Sequence, residues 1–176
     1  MKIRTMNFWL KGFQWGILGI IPIKKRGNLL AVVFPLQSIR EIIALWHWAQ
    51  SLSTQSRLIA DDFEWNRTQR FVARTLGFRL IEQEMWPTVF EELFAHKPKN
   101  IIVIAVPAIA KTPEFTEILP DWLRMARSNH TWFTLVGCQQ SKKTLHVHTP
   151  FHPSAQPHRD VHYIKRHFSY FQKRKE

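Results

Sequence analysis

Residues 28–34, Asn-Leu-Leu-Ala-Val-Val-Phe, form an apolar run of strand length, and the period of the sequence changes immediately after it. Leu36, Ile39, Ile43 and Trp46 recur at spacings of three, four and three, the repeat of one helix face. A strand without polar alternation has both faces to hide, so it needs helices on each side of its sheet. The passage from such a strand into an amphipathic helix is the opening unit of an alternating α/β chain.

The units that follow repeat this grammar. Arg57 to Ala60 reads as a second strand, and Asp61 or Asp62 can cap a helix that runs through Leu76. Gly77 then stands where a left-handed residue closes a helix. Phe78 to Gln83 alternates as a strand, and Thr88 with Glu91 has capping-box spacing for a helix facing inward with Val89, Phe90, Leu93 and Phe94. Asn100 to Val106 is the most apolar run and predicts a strand covered on both faces. Thr112 and Pro113 open a helix to about Asn129, kinked at Pro120. Strands are expected at Trp132–Val136 and Thr144–His148, and a basic helix at His158–Phe171. The order predicts an α/β fold, a mostly parallel sheet with helices on both faces.

With 176 residues the chain is long enough for one domain with a substantial core. The formal charge of +12 resides at the ends. Residues 1–28 carry six basic and no acidic side chains, residues 141–176 carry eight and two, and the middle carries 11 of each. This suggests a basic aromatic arm (1–28), an α/β body (29–150) and a basic tail (151–176) entered through Pro150, Pro153 and Pro157. In the arm the longest uncharged run, Gly12 to Ile23, has 12 residues, too few for the roughly 20 of a spanning helix. Phe8, Trp9, Phe13 and Trp15 beside Lys2, Arg4 and Lys11 leave a membrane-surface helix open, next to a poorly ordered arm or one packed on the domain. A single cysteine, Cys138, excludes an internal disulfide and suits a reducing, cytoplasmic setting.

The first strand-to-helix junction, Phe34-Pro35-Leu36-Gln37-Ser38, has no glycine and no Gly-Lys-Ser/Thr. Phosphate loops need close-approaching amides, so neither nucleotide hydrolysis nor a dinucleotide cofactor is expected. Seven of the nine histidines lie between residues 130 and 167. His146, His148 and His152 have the spacing of a metal pair and a third ligand, yet no carboxylate stands nearby to complete them, and surface histidines are the expectation. Cys138 in an apolar strand reads as an inert thiol, neither Ser38 nor Ser56 lies in a nucleophile elbow, and capping or solvation accounts for Asp61, Asp62 and Glu64. No catalytic, cofactor or metal residues are assigned, and no enzymatic activity is expected.

Binding is what remains. Trp46, Trp122 and Trp132 fall in core phase, whereas Trp48, Trp65 and Trp86 stand off it, as interface anchors do. Arg67, Phe71 and Arg74 share one helix face, with Arg57 expected near them. The same stripe also reads as a solvated basic face with Phe71 turned into the core, and both readings stay open.

The body resembles the SulA family of bacterial cell-division inhibitors. The likeness rests on Leu29 to Leu36 (LLAVVFPL), Gln55-Ser56-Arg57, Arg70-Phe71-Val72 before Gly77, the hydrophobic helix with Glu92, the strand 101–106, and an acidic-started helix leading to Trp132-Phe133. It covers about residues 29–148 and implies a truncated RecA-like fold without a working nucleotide site. It also implies stoichiometric binding to FtsZ, the tubulin-like division GTPase, during the SOS response to DNA damage, blocking polymerisation and septation. Arg57 and Phe71 would match the family's acting residues. Glu82 and Asp62 depart from the pattern, where the family has lysine and leucine, and the end Lys173-Arg174-Lys175-Glu176 replaces the family's protease-exposed terminus. Arg57, Arg67, Phe71, Arg74 and Trp65 are therefore the expected partner-binding residues, with weak homodimerisation as a further expectation. The competing class is a nucleic-acid-binding accessory protein of DNA repair, using the basic ends and their aromatic residues.

Overall fold

A computed structural model describes residues 6–10, 13–18, 27–34, 36, 38–52, 56–61, 65–95, 101–107, 112–139 and 143–173. Its strands are β1 (Met6–Leu10), β2 (Phe13–Leu18), β3 (Leu29–Phe34), β4 (Ser56–Asp61), β5 (Arg79–Ile81), β6 (Ile102–Val106), β7 (Trp132–Gln139) and β8 (Thr144–Val147). The helices are α1 (Ile39–Leu52), α2 (Arg67–Thr75), α3 (Trp86–Phe94), α4 (Thr112–Ser128, running through Pro120) and α5 (Pro157–Lys173). All eight strands join one sheet in the order β1-β2-β8-β7-β3-β6-β4-β5.

The α/β expectation holds. Strands β3 to β7 run parallel, with β3 at the centre paired to β6 on one side and β7 on the other. Leu29, Ala31 and Val33 of β3 point into a core shared with α1 and α2, and Leu30 and Val32 into a second core covered by α3, α4 and α5. That division explains the unalternating run at 29–34: a strand between two helical layers has no solvent side. The same holds for β6, which is buried at every residue.

Three local expectations are corrected. The inward face of α1 is Ile42, Leu45, Trp48 and Ala49, while Ile39, Ile43 and Trp46 are only partly buried. The helix is apolar around most of its girth, so period alone does not set its rotation. Asn66, not Asp61 or Asp62, caps α2: its side chain accepts from Gln69 N at 2.9 Å while Gln69 Oε1 accepts from Asn66 N at 2.8 Å. Asp61 is the last residue of β4, and Asp62 lies outside the described residues. Thr88 lies within α3, which has Met85 at its N-cap without a side-chain cap bond and Pro87 in its first turn. Of the readings open for the arm, the one packed on the domain holds, and it packs as strands instead of a membrane-surface helix: β1 and β2 pair antiparallel, and β2 adds parallel to β8. Aromatic residues suit strands, and the hairpin pairs with the free edge of β8 that would otherwise be exposed. Among the described residues no helix is long and apolar enough to cross a membrane.

Gly77 closes α2 as expected. Its φ is +85°, its N–H donates to Arg74 O at 3.0 Å, and Phe78 N donates to Ala73 O at 3.0 Å, the double bond of a Schellman motif. A Cβ at Gly77 meets nothing within 4 Å, so Gly77→Ala isolates backbone strain from packing. The expected loss is about 1 kcal/mol. Urea unfolding should show a lower midpoint at unchanged slope, and an unchanged midpoint would refute the assignment.

Candidate functional site

In an open parallel sheet, ligands favour the crevice at the strands' carboxyl ends where successive connections leave on opposite faces. Here that crevice lies between β3, which continues into α1 on one face, and β6, which continues into α4 on the other. The start of α1 is already occupied by its own side chain. Ser38 N donates to Glu41 Oε2 at 2.9 Å, and Glu41 N donates to Ser38 Oγ at 3.3 Å, a reciprocal cap that buries Glu41. A carboxylate thus sits at the helix end where a nucleotide-binding sheet presents amides to phosphate, and it disfavours a second anion there. The Ser-x-x-Glu spacing was legible in the sequence, and its consequence for this crevice was missed.

Cys138 is buried on the same side of the sheet. Burial pushes its thiol well above the ordinary value, and the charge of Glu41 pushes the same way. Such a thiol stays protonated at neutral pH, which suits packing and not nucleophilic attack. Asp61 is buried at the end of β4, and Trp65 closes the crevice with its indole N–H donating to Leu36 O at 3.2 Å.

The second candidate is the outer face of α2. Gln69 and Ala73 are buried, with Val72 and Leu76 partly so, and this face packs toward α1 and the sheet. Phe71 lies two positions from both Gln69 and Ala73, about 200° around the helix, and therefore points outward. It is 70% exposed, flanked one turn to either side by exposed Arg67 and Arg74. The reading with Phe71 turned into the core is thus excluded. Among the described residues neither arginine has an acidic partner within ion-pair distance. In contrast Arg79, on the neighbouring edge strand β5, is held by Glu92 at 2.9 Å.

Two of the expected partner-binding residues do not join this face. Trp65 is buried and edge-on to Phe78 at 6.3 Å between ring centroids. Arg57 is exposed, but it lies in register with Val103 and shares the phase of Ile59, both of which point into the core under α3 and α4. Strand alternation therefore turns it to the side opposite α2. Trp48 and Trp86, also expected as surface anchors, are buried, whereas Trp132, expected in the core, is 38% exposed. A loop or off-phase tryptophan can be covered by a neighbouring element, and that neighbour is invisible to local periodicity.

Among the described residues no three histidine, cysteine or acidic side chains gather as metal ligands. His146 lies beside Thr144 Oγ1 at 3.4 Å, and His152 packs against the ring of Trp132 with centroids 3.8 Å apart and planes tilted by 39°. Scans against protein-family models, curated proteins and solved structures find no match.

Proposed function

We propose that the chain is a non-catalytic inhibitor of cell division that docks on FtsZ through the outer face of α2 and blocks its polymerisation. The observation that carries this reading is Phe71, solvent-exposed between two arginines on a helix whose other side is anchored in the core. Aromatic and arginine side chains dominate binding energy at interface centres, and a helix capped at both ends presents them at little entropic cost. The family resemblance supplies the partner. Arg67, Phe71 and Arg74 remain the proposed contacts, while Trp65 and Arg57 leave the set.

A nine-residue helix is about 13 Å long and cannot by itself cover the roughly 800 Å² per partner of a stable interface. The surface therefore extends over the edge strand β5 and its Arg79–Glu92 pair. Positive charge on α2 raises the association rate with an acidic partner, so inhibition should weaken as salt rises.

The test is light scattering of purified FtsZ with GTP during titration with the full chain. Scattering and GTPase activity should fall together and reach a floor near equimolar ratio. Full assembly at tenfold excess of the chain would overturn the proposal.

A further inference from the structure

Helix α5 carries chemistry that docking through α2 does not use. Its rotation about its own axis is fixed by the core, because Val161 and Ile164 are buried in the cluster shared with α3 and α4. Its start is fixed by Ser154 N, which donates to Asp160 Oδ2 at 2.7 Å.

On this anchored helix His158 and His162 stand four residues apart, and both are exposed. Four residues advance a helix by about 6 Å and turn it by about 40°, so the two side chains rise from one strip of surface with Cβ atoms about 5–6 Å apart. Two imidazole nitrogens can converge from there to the roughly 3 Å separation set by bonds of about 2.0–2.1 Å to one metal ion. The His-x-x-x-His spacing of helical zinc sites works in the same way. Among the described residues neither ring has a hydrogen bond, ion pair or ring contact that chelation would have to break.

The surroundings select among ions. Arg159 and Lys165 are exposed at neighbouring positions, Arg166 lies on the next turn, and Asp160, the acid of this part of the helix, is engaged by Ser154. A hard cation such as Ca²⁺ or Mg²⁺, which is held by charge and oxygen ligands, is repelled there and finds no oxygen donor set. A late transition ion draws its affinity from bonds to nitrogen, which exposed and solvated neighbours weaken only modestly. The order of those affinities puts Cu²⁺ ahead of Ni²⁺ and Zn²⁺. A helix whose rotation is already set has little further freedom to lose when both rings close on the ion.

We propose that His158 and His162 chelate one divalent late transition ion, Cu²⁺ most tightly, and leave its remaining positions to water. The site lies on α5, apart from the α2 face, and neither proposal depends on the other.

The test is isothermal titration calorimetry of the full chain at neutral pH with Cu²⁺, Zn²⁺ and Ca²⁺ in turn. The tightest site should take one Cu²⁺ per chain, bind Zn²⁺ more weakly and leave Ca²⁺ unbound. Loss of a direct ligand costs at least as much as loss of a group that merely orients one, so His158→Ala and His162→Ala should each weaken this site tenfold or more. The two losses should not add, because either change alone destroys the chelate. Both positions are exposed, so each variant should keep the urea midpoint of the parent chain. His152→Ala, outside the pair, should leave the site intact. Retention of the tight site in either single variant, additive losses, or Ca²⁺ binding as tight as that of Cu²⁺ would overturn the proposal, as would absence of Cu²⁺ binding.

Discussion

Phe71→Ala should abolish inhibition of FtsZ assembly while leaving the protein as stable as before. The side chain is largely solvated, so its removal loses little buried area, and alanine is the better helix former at an exposed position. Thermal unfolding is expected to shift by no more than the equivalent of about 0.5 kcal/mol. An aromatic anchor at an interface centre is worth at least about 2 kcal/mol, so binding should weaken roughly thirtyfold. In the scattering titration the equimolar floor should disappear. Arg67→Glu, at the rim of the same face, should act mainly on association rate and lose its effect at high salt. Inhibition by Phe71→Ala at wild-type stoichiometry would remove α2 from the interface.

Trp86→Ala is the largest stability change expected in the molecule. Trp86 is buried, and its ring stacks on Phe90 at 5.4 Å and meets Trp122 at 4.9 Å, with Phe90 edge-on to Trp122 at 5.0 Å. These three rings join α3 to α4 beneath the sheet. Truncating such a residue costs about 3–5 kcal/mol, a large part of the roughly 5–15 kcal/mol that holds an ordinary domain together. The melting temperature should fall by about 10 °C or more. A surface tryptophan would cost less than about 0.5 kcal/mol, so urea unfolding separates the buried position from the exposed one that local sequence suggested. Trp86 Nε1 finds no hydrogen-bond partner in the described structure, so Trp86→Phe removes a buried polar group while keeping a ring. That variant should cost under about 1.5 kcal/mol.

Much of the fold was legible because it rests on strong local signals. The apolar runs ending at Phe34 and Val106 have the length and composition of strands covered on both faces, and Gly77 marked the end of α2. The candidate site was legible in part. Arg67, Phe71 and Arg74 follow from helical spacing, but whether that face looked outward depended on where Gln69, Val72, Ala73 and Leu76 found their partners. The exposure of Trp132 and its contact with His152 were not legible, because the Phe151-His152 segment pairs back onto Phe133 of β7 from beyond β8.

Residue order alone determined that this chain is α/β, that its central strands are buried on both faces, and that the start of its first core helix holds no glycine-rich phosphate loop. These follow from hydrophobic period and from which residue types can present free amides, both local properties. Tertiary structure decided which tryptophans are covered, which way Arg57 points, and that the basic arm completes the sheet through β8. Those outcomes depend on which neighbour lies across a strand or above a helix, and contacts between residues far apart in the chain leave no periodic trace within either segment.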